Sequence, residues 1–286
     1  MDTLPTEKQV LDYFQSLSNW GRWGKEDQLG TLNFLNEKKT KEAVSLVEDG
    51  VTVSCARPIS FQESLDSRAP AVHYMLESGE VWSIGDKVTS RVRQAATDYI
   101  GMRIHSGTHI DSLAHFFWEG QMYNGRPAHL VSTNLGATAE SVELVGKGIV
   151  TRGILVDVPR IRGTNWIERG DGVFPSDILK AEEECGFMIS QGDVLLVRTG
   201  QLHRRNIEGP VDFRQSGSTA CHAACLPLFR ERGIAALGTD TGNDVIPPPY
   251  PNVIQPIHQI GIVAMGLWIL DNANLEDIAE ACAERN

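Results

Sequence analysis

The spacing of apolar positions divides the chain into helix-like and strand-like stretches. Val10, Leu11, Phe14 and Leu17 share one stripe of a 3.6-residue period, which predicts a helix over residues 5–18. Residues 37–48 (EKKTKEAVSLVE) predict a second helix, closed by Asp49-Gly50. VTVSCARPI then reads as a strand, and residues 61–95 read as loop with scattered rings at His73, Tyr74 and Trp82. Two short, continuous apolar runs, GILVDV at 153–158 and DVLLVRTG at 193–200, have the pattern of strands buried on both faces. Between them SDILKAEEECG carries a helix start at Ser176-Asp177 and a glycine stop at Gly186. STACHAACLPLFRERGIAALGTDTG reads as helix, stop at Gly233, then a buried strand ending at Asp240. QIGIVAMGLWILDN is apolar throughout and fits strand or buried helix; NLEDIAEACAE is a helix. Alternation of strands and helices in the C-terminal half, with a more strand-rich middle, predicts an α/β fold. We expect a single domain over residues 1–286, with a central mixed β core flanked by helices and a helical N-terminal arm over 1–50.

Composition narrows the function classes. With 26 basic and 37 acidic residues the net charge is −11, which argues against nucleic-acid and anionic-membrane partners. No apolar segment approaches the ~18 residues that span a bilayer. Five irregularly spaced cysteines and a polar, amphipathic N-terminus predict reduced thiols and a cytoplasmic protein. Cys221 and Cys225, beside His222, read as buried small thiols rather than metal ligands.

The chemistry concentrates in MRIHSGTHIDSLAH, residues 102–115, which holds three of the eight histidines. As a strand, its period of two puts His105, Gly107, His109 and Asp111 on one face. As a helix, Asp111 would be turned about 160° away from the two imidazoles; Gly107 and the β-branched Thr108 and Ile110 also disfavour helix. Two imidazoles and a carboxylate on one face suit a divalent ion of the zinc, manganese or iron(II) kind, and three protein ligands leave open positions, as catalytic sites do. His115 is a candidate general acid or base, with metal ligation as its competing role. Asn124-Gly125 signals a tight turn, so that Phe116, Phe117, Trp118 and Tyr123 are expected to line or support a pocket.

HSGTHIDSLAH resembles the signature H-x-G-T-H-x-D-x-P-x-H of the metal-dependent cyclase-like hydrolases, a family that includes bacterial kynurenine formamidase, isatin hydrolase and trans-dienelactone hydrolase. The fixed positions match except the proline, where this chain has Leu113. RWGKEDQLGTLNFL resembles the family's W-G-x-x-D-x-L-G-T-x-N, and ALGTDTGNDV and PIHQIGIVAMGLWILDN resemble later landmarks, so the likeness runs from about Trp23 to Leu275. The resemblance implies the family's α/β swivelling fold, a homodimer or homotetramer, and hydrolysis of a C–N or C–O acyl bond, often within a ring. It implies that His105, His109 and Asp111 hold zinc or manganese and that His115 is the catalytic acid/base. His258 matches a later histidine that joins a second metal in the binuclear formamidases. Their glutamate is replaced by Asp271, one carbon shorter, which favours one metal, with His258 free to contact substrate. His222 is expected to face the site as an oxyanion donor, and Trp23 to contact substrate. Two other readings stay open: a metal-dependent lyase or isomerase on a small keto acid, which the same ligands serve, and a non-catalytic metal-bearing binding module.

Overall fold

The structure, a computed structural model, describes residues 4–80 and 95–285; Trp82 lies outside them. Helix α1 (Glu7–Ser16) begins at Thr6, whose hydroxyl accepts the Gln9 amide while the Gln9 side chain accepts the Thr6 N–H. Its expected stripe packs inward in part: Val10 and Leu17 are buried, Phe14 stacks on Trp118 at 4.2 Å, and Leu11 is exposed. Helix α2 (Glu37–Val44) is capped by Asn36 and stops earlier than predicted.

The strand expected at 51–59 does not form, and strands appear in and beside the segment expected to be loop. These are β1 (Val72–Glu77) and β2 (Thr97–Gly101), an antiparallel ribbon. Among the described residues, 51–59 have no partner strand. Their backbone groups are met singly instead: the Cys55 carbonyl accepts from the Asn274 amide, and the Arg57 amide donates to the Thr108 hydroxyl.

The remaining strands are β3 (His109–Asp111), the two-residue β4 (Val131–Ser132) and β5 (Gly136–Ala137), β6 (Gly153–Asp157), the two-residue β7 (Gly172–Val173), β8 (Val194–Arg198), the two-residue β9 (Ala220–Cys221), β10 (Ala236–Thr239) and β11 (Trp268–Asp271). The central mixed sheet has the order β3-β11-β10-β8-β6. Its last four members run parallel and β3 is antiparallel at the edge. Helices α3 (Val158–Arg162), α4 (Pro175–Cys185), α5 (Gln201–Glu208), α6 (Phe213–Ser216), α7 (Leu226–Arg232) and α8 (Glu276–Arg285) flank it. Strand alternation sorts the two faces. Ile154, Val156, Leu195, Val197, Leu237 and Ile269 enter the main core, whereas Leu155, Leu196 and Leu270 pack with Leu275 and Ile278 on the other side. Burial of both faces explains why these strands are apolar without alternation.

The stretch that fitted either strand or helix is both. Ile257–Ala264 is a π-helix and Trp268–Asp271 is β11. The wide helix is held at both ends. At its start the Asp244 carboxylate accepts the amides of Ile257 (2.9 Å) and His258 (3.4 Å). At its end the N-terminal arm satisfies carbonyls that a helix leaves free: Trp20 Nε1 donates to Val263, the Asn19 amide to Ala264, Asn19 Nδ2 to Met265 and the Thr31 amide to Gly266. The contact at Gly266 demands glycine at position 30, because a Cβ there would lie 2.1 Å from the Gly266 oxygen and φ is +56°. Asp27 shapes this arm, accepting from the amides of Leu29 and Gly30, from Asn33 and from the Tyr123 hydroxyl.

Candidate metal centre

His109 and Asp111 stand on one face of β3, and the register Asp271↔His109 and Ile269↔Asp111 puts Asp271 beside them at the carboxyl end of β11. Sites in open α/β sheets collect at such strand ends. His105 arrives differently from its expected place on a long strand: it sits in a 3-10 turn, Ile104–Ser106, that ends before β3. The turn still delivers its ring. A Cβ at Gly107 would meet nothing within 4 Å, and the two imidazoles meet edge to face at 4.5 Å.

Asp111 is the centre. Its Oδ1 lies 3.3 Å from His105 Nδ1, 3.3 Å from His109 Nε2 and 3.7 Å from His115 Nε2. Its Oδ2 lies 3.5 Å from His258 Nε2, which is also 3.6 Å from Asp271 Oδ2. The carboxylate is buried, yet neither oxygen has a hydrogen-bond partner among the described residues. A buried carboxylate left this way is costly unless something else neutralises it. His105 Nδ1 and His109 Nε2 are 2.9 Å apart, so three donor atoms form a triangle with sides of 2.9, 3.3 and 3.3 Å. Donors about 2.0–2.2 Å from one shared ion stand roughly 3.0–3.5 Å from each other. The donor set therefore fits a divalent cation. Combinations able to hold an ion are His105, Asp111 and His115, and His109, Asp111 and Asp271, joined through Asp111.

The far sides of the rings are tied down. His109 Nδ1 donates to the Gly107 carbonyl at 2.9 Å, leaving Nε2 as the bare nitrogen that faces Asp111. His258 Nδ1 lies 2.5 Å from Asp244 Oδ2, which turns its Nε2 inward. Such outer partners fix tautomer and ring direction in metal sites. Asn243 Nδ2 holds Asp271 Oδ1 at 2.6 Å in the same way. Asp244 and Asn243 are functional candidates that sequence reasoning missed. Both lie in ALGTDTGNDV, the stretch that resembles a later family landmark, but no residue of it was singled out, and a proline-rich loop separates it from His258.

Electrostatics separates the imidazoles. Burial opposes charge on Asp111, but His109 and His258 hold it well below the usual carboxylate range. Burial lowers His258 too, and Asp111, Asp244 and Asp271 overcome this to leave it well above its ordinary value. His109 is raised against its burial by Asp111 and the Gly107 carbonyl. Burial pushes His105 and His115 down, against the pull of Asp111. His115 stacks on His105 at 4.2 Å and meets the Phe116 ring at 5.0 Å; Phe116 also lies 4.8 Å from His258.

The structure thus brings together His105, His109, Asp111, His115, His258 and Asp271, with Phe116 against them. The other candidates make the following contacts. His222 accepts the Ala224 amide at Nδ1, has Nε2 3.4 Å from the Tyr250 hydroxyl, and lies against Phe174. Trp23 packs edge-on against Phe34, next to Gly233 and so at the opposite end of the sheet. Phe117 is exposed. Tyr123 is fully buried and serves the arm through Asp27. Asn124 and Gly125 take the positive φ expected of the turn, and Asn124 binds the arm's loop through the carbonyls of Gly24, Lys25 and Asp27. Among the described residues no helix is long and apolar enough to cross a membrane.

Comparison with known proteins agrees with the fold. A crystal structure described as a novel cyclase superposes with a TM-score of 0.83 at 28% identity, covering 93% of this chain and 90% of its own. Isatin hydrolase A from Labrenzia aggregata, bound to benzyl benzoate, gives a TM-score of 0.56 at 18% identity over 83% of this chain and 87% of that one. Isatin hydrolase A from Ralstonia solanacearum gives 0.53 at 16% identity, covering 79% and 80%. No curated protein sequence matches the chain. The family model described as putative cyclase matches residues 40–243, which include the whole His105–His115 segment, and the chain belongs to that family.

Proposed function

We propose that this protein is a metal-dependent hydrolase of a small cyclic or aromatic substrate, cleaving an acyl C–N or C–O bond in a cyclic amide, a lactone or an aryl formamide. The observation that carries the reading is the triangle of His105 Nδ1, His109 Nε2 and Asp111 Oδ1 around a buried carboxylate with no hydrogen-bond partner. Membership of the putative cyclase family and the shared fold of isatin hydrolases support it. Zinc or manganese held by these three residues would supply Lewis-acid activation of water and of the acyl carbonyl.

The chain's own groups do the rest. Asp111 supplies the negative charge, and His109 and His258 are aimed by Gly107 and Asp244. His115 stands further from Asp111 Oδ1 than His105 or His109 does, 3.7 Å against 3.3 Å, and burial lowers its pKa from the ordinary imidazole value. It is therefore placed to take a proton from the attacking water and return it to the leaving nitrogen or oxygen, a role worth roughly 10²–10⁴ in rate. Phe116 offers a flat apolar face beside His115 and His258 for a planar ring. His258 and Asp271 remain available to contact substrate or to hold a second ion. The test is a screen of metal-reconstituted protein against formylkynurenine, isatin, dienelactones and simple lactones. Metal-dependent turnover of at least one is expected; inactivity on all of them with metal bound would refute the reading.

A further inference from the structure

The arm residues from Asp27 to Thr31 each touch a different piece of the structure around the metal centre. Asp27 Oδ2 accepts the Tyr123 hydroxyl at 2.9 Å. Gln28 Oε1 accepts the Glu140 amide at 2.9 Å. The Leu29 carbonyl accepts Trp268 Nε1 at 2.8 Å, at the start of the strand that ends in Asp271. Gly30 lies against Gly266, and the Thr31 amide donates to the Gly266 carbonyl at 2.8 Å, just past the π-helix that carries His258. The Gln28 contact is the one that reaches His115. The Glu140 carbonyl accepts the Ala114 amide at 3.2 Å, and the next amide, that of His115, closes a tight turn on the Ser112 carbonyl at 3.1 Å.

Glu140 is a poor residue for stability at this junction. Its φ of +56° lies in the left-handed region that residues other than glycine rarely enter. Its carboxylate is fully buried, with Arg126 Nε 3.5 Å from Oε1, and none of these three atoms makes a hydrogen bond among the described residues. Such departures persist only where the surroundings over-determine them, and they gather at working sites. The surroundings here are the two ends of one relay, Gln28 on one side and the turn before His115 on the other. That relay bears on the spacing of the cluster. His115 and His258 face the two oxygens of Asp111, Oδ1 and Oδ2. The His258 ring lies 6.1 Å from that of His115 and 4.8 Å from that of Phe116. The arm grips the π-helix behind His258 and, through Gln28, the turn behind His115, so it sets the gap between them.

We infer that Gln28 is a positioning residue: through the main chain of Glu140 it fixes where His115 stands relative to Asp111 and His258. The consequence for rate rests on the Asp111 cluster being the active centre of a hydrolase; the placement of the turn does not. The test compares wild type with Gln28→Leu, which removes the acceptor at similar volume, and with Gln28→Glu, which keeps an accepting oxygen. Hydrogen exchange of the full chain reads the placement without turnover. In Gln28→Leu the amides of Ala114 and His115 are expected to exchange several-fold faster while those of β8 and β10 keep their protection; in Gln28→Glu they exchange as in wild type. Equal exchange in Gln28→Leu and wild type overturns the relay. Steady-state kinetics, on whichever substrate metal-reconstituted wild type turns over, reads the consequence. Gln28→Leu is expected to lose roughly 10–100-fold in kcat with KM and bound metal unchanged, as small misplacements of a reacting group do, and Gln28→Glu to recover most of that loss. An unchanged kcat, a loss that follows bound metal, or a loss that Gln28→Glu does not recover would leave Gln28 a packing residue and overturn its positioning role. Should Gln28→Leu not fold, Gln28→Asn, one carbon short of the Glu140 amide, replaces it in both measurements. Should wild type turn over none of the substrates, the hydrolase reading fails and hydrogen exchange still decides the relay.

Discussion

Replacing Asp111 with Asn isolates the metal centre. The substitution keeps shape and one oxygen but removes the charge that four imidazoles share within 3.3–3.7 Å. An ion that binds only the folded protein, present at a hundredfold excess over its dissociation constant, stabilises it by about 2.7 kcal/mol. For a domain of this size each kcal/mol moves Tm by ~2–4 °C, so zinc or manganese should raise the melting temperature of stripped wild-type protein by roughly 5–10 °C. Asp111→Asn should lose most of that rise, since the carboxylate belongs to both groups able to hold an ion. Differential scanning fluorimetry of chelator-stripped protein, titrated with metal, gives the shift, and elemental analysis gives the ions bound per chain. A full wild-type shift in the variant, with unchanged metal content, would show that Asp111 is not a ligand.

Three further outcomes are expected. His115→Ala should lose roughly 10²–10⁴ in kcat while binding as much metal as wild type; loss of the metal as well would make His115 a ligand. Asp244→Asn removes the negative charge from the 2.5 Å partner of His258 Nδ1 and should weaken metal binding or activity by roughly 10–100-fold with the fold retained, as calorimetric titration would detect. Glu140 is fully buried with neither oxygen hydrogen-bonded among the described residues. Burial, reinforced by Asp27 and only partly offset by Arg126, pushes it from 4.5 up to about 8. The folded protein thus keeps a proton that the unfolded chain releases above about 4.5, so this group's contribution to stability falls as pH rises toward 8, by on the order of 3–5 kcal/mol in all. Glu140→Gln should remove that slope and melt above wild type at pH 8; superimposable melting profiles from pH 5 to 8 would contradict it.

How much of this was legible in the sequence follows from the range of the interactions. Local periodicity and stop signals located α1, α4, β6, β8, β10 and α8 to within a few residues, because burial pattern, caps and glycine stops lie inside each element. The pairing of His109 with Asp111 was legible for the same reason: two residues apart on a strand is one face. The strand reading failed for His105, which a 3-10 turn carries to the cluster, and for residues 51–59, whose backbone found no ladder. Strand formation needs a partner that the segment itself does not contain.

The sequence by itself determined the chemistry available, namely imidazoles and a carboxylate on a short segment, together with an α/β alternation able to hold them. Only the tertiary structure decided which distant groups complete the centre. Asp271 joins because β11 pairs with β3 in one register. His258 joins because a π-helix is clamped between Asp244 and the N-terminal arm. Trp23 carries suitable chemistry but packs against Phe34. Side-chain type is a local property, whereas convergence depends on strand register, helix pitch and the capping of distant backbone groups, and these exist only once the chain has folded.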